Sequence, residues 1–213
     1  MSVLRFARFL PQPTRRGFGS RSNRSTRLRV KCRACPEKIL AGRSTESHPM
    51  ELMDRLAEAE RRIGYRFRDR ELLARSLRHA SAADDRLDSN ERLEFLGDAI
   101  LGVVVCTELF QRFPELLEGE LTKIKSNVVS RRVCAEIAEE RGLGELLDLG
   151  KGMNGRGEMP SSLHAAVLES VIGAIHLDGG FERARAFVLE LLDPRIAHAA
   201  ELGHQHNFKS VLQ

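Results

Sequence analysis

The stretch Asn90-Glu-Arg-Leu-Glu-Phe-Leu-Gly-Asp98 places three carboxylates on an otherwise apolar segment, at spacings of three and four residues. A helix advances by about 100° per residue, so Glu91, Glu94 and Asp98 share one narrow stripe. The apolar side chains fall almost opposite the stripe: Leu93, Leu96, Ile100, Val103 and Val104. The spacing therefore predicts a helix with an apolar face and, across from it, an acidic face.

The acidic stripe contains no interleaved cations. A solvated stripe usually carries Lys or Arg one turn away from each acid, but the positions one turn after Glu91 and Asp98 are Phe95 and Gly102. Like charges one turn apart repel each other, so an unpaired triad favours bound cations over the alternative of a solvated helix surface. Mg²⁺ prefers carboxylate oxygen, and the stripe therefore indicates a centre for metal-assisted hydrolysis.

The same nine residues resemble the signature of the ribonuclease III family, the endonucleases that cut double-stranded RNA. Further landmarks of the family follow in the same order, and the resemblance extends over about residues 51–193. These landmarks are Arg61–Phe67, Phe113-Pro114, Glu118–Leu121 and Leu168–Asp178. The resemblance implies an all-α, ribonuclease III-like helical endonuclease domain that acts as a homodimer, each protomer supplying one catalytic centre.

The resemblance also implies the roles of four carboxylates. Asp98 and Glu169 would be catalytic, with Asp98 orienting or deprotonating the attacking water. Glu94, Asp98 and Glu169 would bind metal directly, and Glu91 would be an outer ligand or act across a dimer contact. The implied cofactor is Mg²⁺, which Mn²⁺ could replace. The implied substrate is double-stranded RNA, cut to leave 5′ phosphate and 3′ hydroxyl ends.

Ala166 departs from the family pattern, which has an aspartate three residues before the glutamate that corresponds to Glu169. The change removes one oxygen ligand, so we expect weaker metal binding. Three interpretations follow. The first is an endoribonuclease, impaired by Ala166, that processes ribosomal and other structured RNAs. The second is an inactive dimeric RNA-binding or ribosome-associated scaffold, and the third is an unrelated helical protein with an acidic surface. The four retained acids favour the first.

Other candidate residues are less specific. His164 and His176 flank Glu169, but imidazole suits Zn²⁺ better than Mg²⁺, and we interpret both as surface or packed side chains. A set of basic residues follows Glu120 and either tracks an RNA backbone or is ordinarily solvated: Lys123, Lys125, Arg131 and Arg132. Phe95 is either part of a dimer face or part of the core. Cys106 and Cys134 are predicted to be core residues.

Charge is divided unevenly along the 213 residues. Residues 1–49 hold 12 Lys/Arg and 2 Asp/Glu, a net charge of +10, whereas residues 50–213 hold 22 and 28, a net charge of −6. The acidic part argues against a simple basic nucleic-acid-binding module, although bound Mg²⁺ would present positive charge to phosphates. With 42% hydrophobic residues, the chain can bury one sizeable core.

The Arg- and Ser-rich residues 1–49 are predicted to be a disordered basic extension. They are interpreted as an artefact of too early a start codon, with Met50 as the true start, as an RNA-binding arm, or as a transit peptide. Cytoplasmic localisation is the expectation, or an organelle in the last case. Cys32 and Cys35 lack the second pair of ligands that a zinc site requires. The sequence contains no apolar run of 18 residues, so no membrane partner is predicted.

Apolar periodicity and capping residues predict helices over about residues 51–62, 69–79, 90–113, 120–141, 161–177 and 181–192. Ser89 or Asn90 is the predicted N-cap of the acidic helix. A glycine-rich loop is predicted over 148–160, and the last helix is predicted to end before Pro194. Residues 50–193 form the predicted nuclease domain. Residues 194–213 are a linker and the start of a double-stranded-RNA-binding domain, which Asn207–Gln213 resembles.

Overall fold

The computed structural model describes residues 49–153 and 159–211, with side chains described for residues 52–153 and 159–201. The predictions for the basic extension, including the Cys32 and Cys35 pair, lie outside the described residues. The described helices are α1 Pro49–Ile63, α2 Arg70–Ser76, α3 Glu91–Arg112, α4 Glu118–Val128, α5 Arg131–Glu140, α6 Ser161–Gly179 and α7 Phe181–Val211. Two short 3₁₀ turns, Arg86–Asp88 and Leu143–Leu146, complete the described elements. The predicted all-α class is confirmed, and no described helix has the length and apolar character needed to cross a membrane.

Helix α6 forms the centre of the core. Its side chains are buried on every side of the helix, as expected for a helix that is apolar all round. Helices α2, α3, α5 and α7 all pack against it. Between Ala165 and Ile175, Glu169 is the one charged residue in the sequence of α6. The fold therefore carries an acid on its central helix.

Helices α3 and α6 cross at two glycines, with their backbones in contact. A Cβ atom added to Gly97 would lie 1.7 Å from the backbone oxygen of Glu169, and one added to Gly173 would lie 2.4 Å from the backbone oxygen of Leu93. Both distances are well inside van der Waals contact, so no side chain fits at either position. The crossing brings the acids that flank Gly97 close to Glu169.

The buried face of α3 differs from the predicted apolar face. Over the first fifteen residues of α3 it contains Leu93, Gly97, Ile100, Leu101, Val104 and Val105, which fall between about 180° and 320° from Glu91, and Leu109 follows at about 0°. Val103 is 54% exposed, and Cys106 is exposed rather than in the core as predicted. The glycine crossing is the reason, because it turns α3 so that the side next to the acids meets α6. Cys134 is buried, as predicted.

The single helix predicted over 120–141 is wrong, because the chain forms α4 and α5 with a break at Val129 and Ser130. The Ser130 hydroxyl accepts a hydrogen bond from the backbone N–H of Val133 at 3.4 Å and so caps α5. A serine side chain that bonds to nearby backbone competes with helix continuation. The break directs the first residue of α5, Arg131, away from the line of α4.

The predicted end of the last helix before Pro194 is also wrong, because α7 continues through this proline. A proline inside a helix costs about 3 kcal/mol. Contacts beyond it offset that cost: Ile196 and Ala200 are buried, and Arg195 donates to Glu140 at 2.7 Å. Tertiary packing here overrides local preference. The assignment of residues 194–213 to a linker and a second domain stays a prediction.

Replacing Gly97 with alanine is expected to destabilise the protein. The added methyl group must displace the backbone of α6 at Glu169, and overpacking against an immovable backbone costs about 3 kcal/mol. Urea denaturation followed by circular dichroism measures the change in the free energy of unfolding.

Gly119→Ala is the matched control. Gly119 also lies in a helix, but a Cβ atom there would meet nothing within 4 Å. Alanine is the better helix former, so this variant should be about 0.5–1 kcal/mol more stable than the wild type. Equal effects of the two substitutions would show that the glycine crossing does not constrain the fold.

Candidate active site

The first turn of α3 is held by the residues that precede it. Ser89 and Asn90 are both buried, and the Asn90 N–H donates to the carbonyl of Arg78 at 2.8 Å. The predicted N-cap is confirmed in part, since Asn90 holds the N-cap position without a side-chain cap. The Ser89 hydroxyl instead accepts from the N–H of Glu91 at 3.4 Å. These contacts fix the direction in which the acidic turn leaves the core.

Glu91 has a cationic partner that the sequence analysis did not anticipate. The Arg86 Nε donates to Glu91 Oε2 at 3.1 Å, and a second guanidinium nitrogen contacts the other oxygen. These hydrogen bonds lower the pKa of Glu91. The triad is therefore not wholly unpaired, because Arg86, which lies five residues before Glu91 in the linker, forms an ion pair with it. Helical spacing could not reveal this pair.

Glu94 is half-buried at the junction of α3 with its neighbours. Burial raises the pKa of its carboxyl group, and the charges of Glu91 and Asp98 raise it further. Arg131 and His79 act in the opposite direction. Glu94 thus lies within the electrostatic reach of acids on its own helix and of cations from two other segments.

Glu169 is the most strongly perturbed acid of the site. Burial, followed by the charges of Asp98 and Glu94, raises its pKa to about 7, and Arg131 opposes the shift. The structure therefore brings Glu94, Asp98 and Glu169 into one electrostatic neighbourhood, here called the acidic cluster. An acid with a pKa near 7 can hold or release a proton at neutral pH.

The buried thiol of Cys134 lies beside the acidic cluster. Burial and the charges of Glu169 and Asp98 raise its pKa to about 12, so the thiol is protonated and unreactive at neutral pH. Cys134 belongs to α5, and its position shows which face of that helix is turned toward Glu169. The sequence analysis predicted its burial without predicting this neighbour.

The carboxylates do not form a ready-made metal site. Among the residues that the structure describes, no three His, Cys, Asp or Glu side chains are arranged to hold a metal ion. Half-buried Ala166 lies one turn before Glu169 on α6 and offers no side-chain oxygen. The structure thus brings together three of the four predicted residues, while Glu91 is engaged with Arg86.

His79, in the loop after α2, lies near the acids. Its Nδ1 accepts from the Ser81 N–H at 3.1 Å and is 2.8 Å from the Ser81 hydroxyl. When protonated, His79 lowers the pKa of Glu91 and Glu94. No periodicity links a loop histidine to a helix twelve residues later, so only the fold reveals this neighbour.

The remaining candidates lie apart from the acidic cluster. His164 Nε2 is 3.8 Å from a carboxylate oxygen of Glu139, and the His176 ring stacks edge-on to Phe181 at 6.4 Å. Of the basic set, Arg132 donates to Glu136 at 2.7 Å. Arg131 is the member of that set whose charge acts on both Glu94 and Glu169.

Comparisons with known proteins give one consistent result. A family model described as Ribonuclease-III-like matches residues 69–196. The chain is 48% identical over 151 residues to Ribonuclease 3 of Rhodopirellula baltica, covering 71% of this chain and 57% of that protein. It is 41% identical over 153 residues to Ribonuclease 3 of Symbiobacterium thermophilum, covering 71% and 65% respectively. The chain thus spans less than two thirds of the length of these relatives.

Solved structures agree with the sequence comparison. The nuclease domain of ribonuclease III from Campylobacter jejuni aligns with a TM-score of 0.62 and 37% identity, covering 66% of this chain and 97% of that one. That structure is described as showing structural flexibility in a region involved in dimer formation. The family match spans more than half of the chain, and the structural similarity agrees with it. The chain belongs to the ribonuclease-III-like family.

Proposed function

We propose that this chain is an endoribonuclease that hydrolyses phosphodiester bonds of double-stranded RNA. One observation carries the proposal: the glycine crossing sets Glu94 and Asp98 of α3 against half-buried Glu169 of α6 in a chain related to proteins named Ribonuclease 3. Gathering three repelling carboxylates beside a core helix costs free energy. A purely structural role would be served better by apolar side chains.

The acidic cluster fits a divalent cation such as Mg²⁺. Its donors are hard carboxylate oxygens, which Mg²⁺ and Mn²⁺ prefer, and burial together with repulsion from Asp98 and Glu94 raises the pKa of Glu169. A cation that relieves this repulsion would be bound by Glu94, Asp98 and Glu169, with Glu91 as an outer contributor. When bound, Mg²⁺ supplies charge neutralisation and Lewis-acid polarisation of the phosphodiester.

The acids of the cluster have separate tasks in this proposal. Asp98, exposed at the outer edge of α3, is placed to orient the attacking water or take its proton. Half-buried Glu169 would bind the cation directly as a carboxylate, because a bound divalent charge favours the ionised form. Glu94 is within electrostatic reach of both Asp98 and Glu169, and it would be a direct ligand of the cation.

Ala166 favours weak catalysis and keeps the scaffold as the second candidate function. The position one turn before Glu169 supplies a methyl group in place of an oxygen ligand, so the cation is held by fewer donors. A dimeric RNA-binding or ribosome-associated scaffold would need no complete donor set. Retention of Glu94, Asp98 and Glu169 within electrostatic reach of one another favours hydrolysis over the scaffold.

A second copy of the chain is the proposed partner of α3. The solvent side of this helix carries an apolar stripe made of Phe95, Val103, Cys106 and Phe110, and the two phenylalanines are 81% and 74% exposed. The stripe extends over about 22 Å at 1.5 Å per residue. Phe95 is therefore not a core residue of the protomer, and the stripe fits the predicted homodimer contact.

Ribosomal and other structured RNAs, cut in the cytoplasm, are the proposed substrates. Double-stranded RNA is recognised mainly through its shape and its backbone, and the acidic cluster holds no group that reads a base. Specificity would then come from the contour of the duplex and from contacts outside the cluster.

Cleavage of a long duplex RNA tests the proposed reaction. In Mg²⁺ or Mn²⁺, the full chain should cleave slowly, Glu169→Gln should lose at least about 100-fold in rate, and Ala166→Asp should gain about 10-fold. Ala166→Asn is the matched control, since it has the same size without the charge and should gain little. Gel electrophoresis of end-labelled RNA measures the rates.

The scaffold makes the opposite prediction for the same variants. If every variant binds the duplex and none cleaves it, hydrolysis is excluded and the scaffold is supported. Cleavage by the wild type that survives in Glu169→Gln would remove Glu169 from the site. Cleavage that Ala166→Asp and Ala166→Asn increase equally would show that the added carboxylate is not a ligand.

Removing the charge of Glu169 should stabilise the protein at high pH. The folded-state pKa of about 7 lies above the ordinary glutamate value of 4.5. The contribution of Glu169 to the free energy of unfolding is therefore fully present below about pH 4.5 and is lost as the pH rises through 7. In EDTA, Glu169→Gln should therefore gain about 1–2 kcal/mol over the wild type at pH 8, after allowance for solvent screening, and little at pH 4.5. Urea denaturation at several pH values measures this difference.

Glu115→Gln is the control for the pH series, because Glu115 is exposed in the connection between α3 and α4. Its difference from the wild type should stay within about 0.5 kcal/mol across the pH range. A Glu169→Gln variant whose advantage does not grow between pH 4.5 and 8 would contradict the raised pKa of Glu169.

Placing a charge on the apolar stripe should separate the proposed dimer. Phe95→Asp buries an unpaired carboxylate at the contact, which costs several kcal/mol, so light scattering should give the mass of one chain where the wild type gives twice that mass. Leu177→Asp is the control, because Leu177 is 54% exposed on α6 and lies outside the stripe. Wild-type protein with the mass of one chain would exclude the homodimer.

A further inference from the structure

Arg131 occupies the solvent edge of the acidic cluster. It is the first residue of α5 and is exposed. Cys134, three residues later on the same face of the helix, is buried and lies within the electrostatic reach of Glu169 and Asp98. Arg131 therefore lies one turn before a buried residue that is within electrostatic reach of the site, and its charge lowers the pKa of both Glu94 and Glu169.

The neighbouring arginine provides an internal comparison. Arg132 is also exposed, but it forms a 2.7 Å ion pair with Glu136 one turn later on α5. Among the residues whose side chains the structure describes, Arg131 forms no ion pair or side-chain hydrogen bond with a protein group. Its guanidinium donors are thus available to a ligand, while those of Arg132 are partly used.

An RNA phosphate cannot approach the acidic cluster without a cation near it. Three carboxylates repel a phosphodiester, and a single charge pair at about 4 Å is worth several kcal/mol near a protein surface. The missing oxygen ligand at Ala166 reduces the positive charge that bound cations can bring to the site. A permanent cation supplied by the protein would offset part of this repulsion whether or not metal is bound.

We infer that Arg131 binds a backbone phosphate of the duplex RNA beside the acidic cluster, and that it positions the phosphodiester against Glu94 and Glu169. The inference rests on the proposed function and names a substrate-binding residue for it. A guanidinium presents two parallel donors to phosphate oxygens, which a lysine ammonium cannot do. A contact of this kind fixes the position of the backbone and is independent of base sequence.

The experiment compares Arg131→Ala, Arg131→Lys and Arg132→Ala in the full chain. Binding to a duplex RNA of about three helical turns is measured by fluorescence anisotropy in EDTA at several salt concentrations, so that binding is observed without cleavage. Single-turnover cleavage of the same duplex in Mg²⁺ then separates the effects on KM and on kcat. Circular dichroism melting curves test whether each variant is folded.

Arg131→Ala should bind the duplex about 10-fold more weakly, with a salt dependence whose logarithmic slope falls by about 1. Its loss in cleavage should appear mainly as a higher KM. Arg131→Lys should recover part of the binding, and Arg132→Ala should change binding less than about 2-fold. A merely structural role for Arg131 would shift the melting curve and leave the salt slope unchanged.

Equal losses in Arg131→Ala and Arg132→Ala would overturn the inference, because they would show a general effect of surface charge. Unchanged binding and KM in Arg131→Ala would overturn it as well, while cleavage by that variant would leave the proposed hydrolysis intact. If no variant cleaves but Arg131→Ala alone loses binding, the Arg131 contact is supported and hydrolysis fails. A wild-type chain that binds no duplex RNA overturns both.

Discussion

The fold depends on the contact between the backbones of α3 and α6 at Gly97 and Gly173. Each glycine faces a carbonyl oxygen of the other helix, at a distance that no Cβ atom could occupy. Glycines at a contact let two helix backbones approach each other without intervening side chains. This approach has a chemical consequence, since side chains next to the crossing are drawn together, and on these two helices they are Glu94, Asp98 and Glu169. The same contact therefore holds the core and assembles the site.

The electrostatic balance of the site follows from that geometry. Burial beside a core helix and the repulsion of the neighbouring acids together raise the pKa of Glu169 to about 7. Positive charge from three separate segments opposes this repulsion: Arg86 before α3, Arg131 at the start of α5, and His79 after α2 when it is protonated. None of these cations belongs to α3 or α6. The two central helices supply the negative charge, and the surrounding elements modulate it.

Sequence periodicity predicted most of the helices and the shared stripe of Glu91, Glu94 and Asp98, because spacing along one helix is a local property. It failed where contacts between segments distant in the sequence determine which side chains are buried. The buried side of α3 was placed opposite the acids, since glycine carries no hydrophobic signal and Gly97 could not be counted as a contact residue. Val103 and Cys106 were therefore assigned to the core and lie at the surface. Local sequence also could not predict that the helix continues through Pro194, where the burial of Ile196 and Ala200 maintains it. Nor could it predict the Arg86–Glu91 pair, which joins a linker to a helix.

Ala166 has to be judged against the charges that remain around it. Glu91 is matched by Arg86, so Glu94, Asp98, Glu169 and Arg131 leave a formal charge of about −2, which one divalent cation would neutralise. An aspartate at position 166 would make the same group about −3 and would justify a second cation. The loss of that carboxylate and the presence of Arg131 thus act in the same direction, toward a site that needs fewer ions. A chain adapted in this way would keep the geometry of hydrolysis while relying more on its own guanidinium to hold the phosphate, which is why the acids and Arg131 have to be interpreted as one unit.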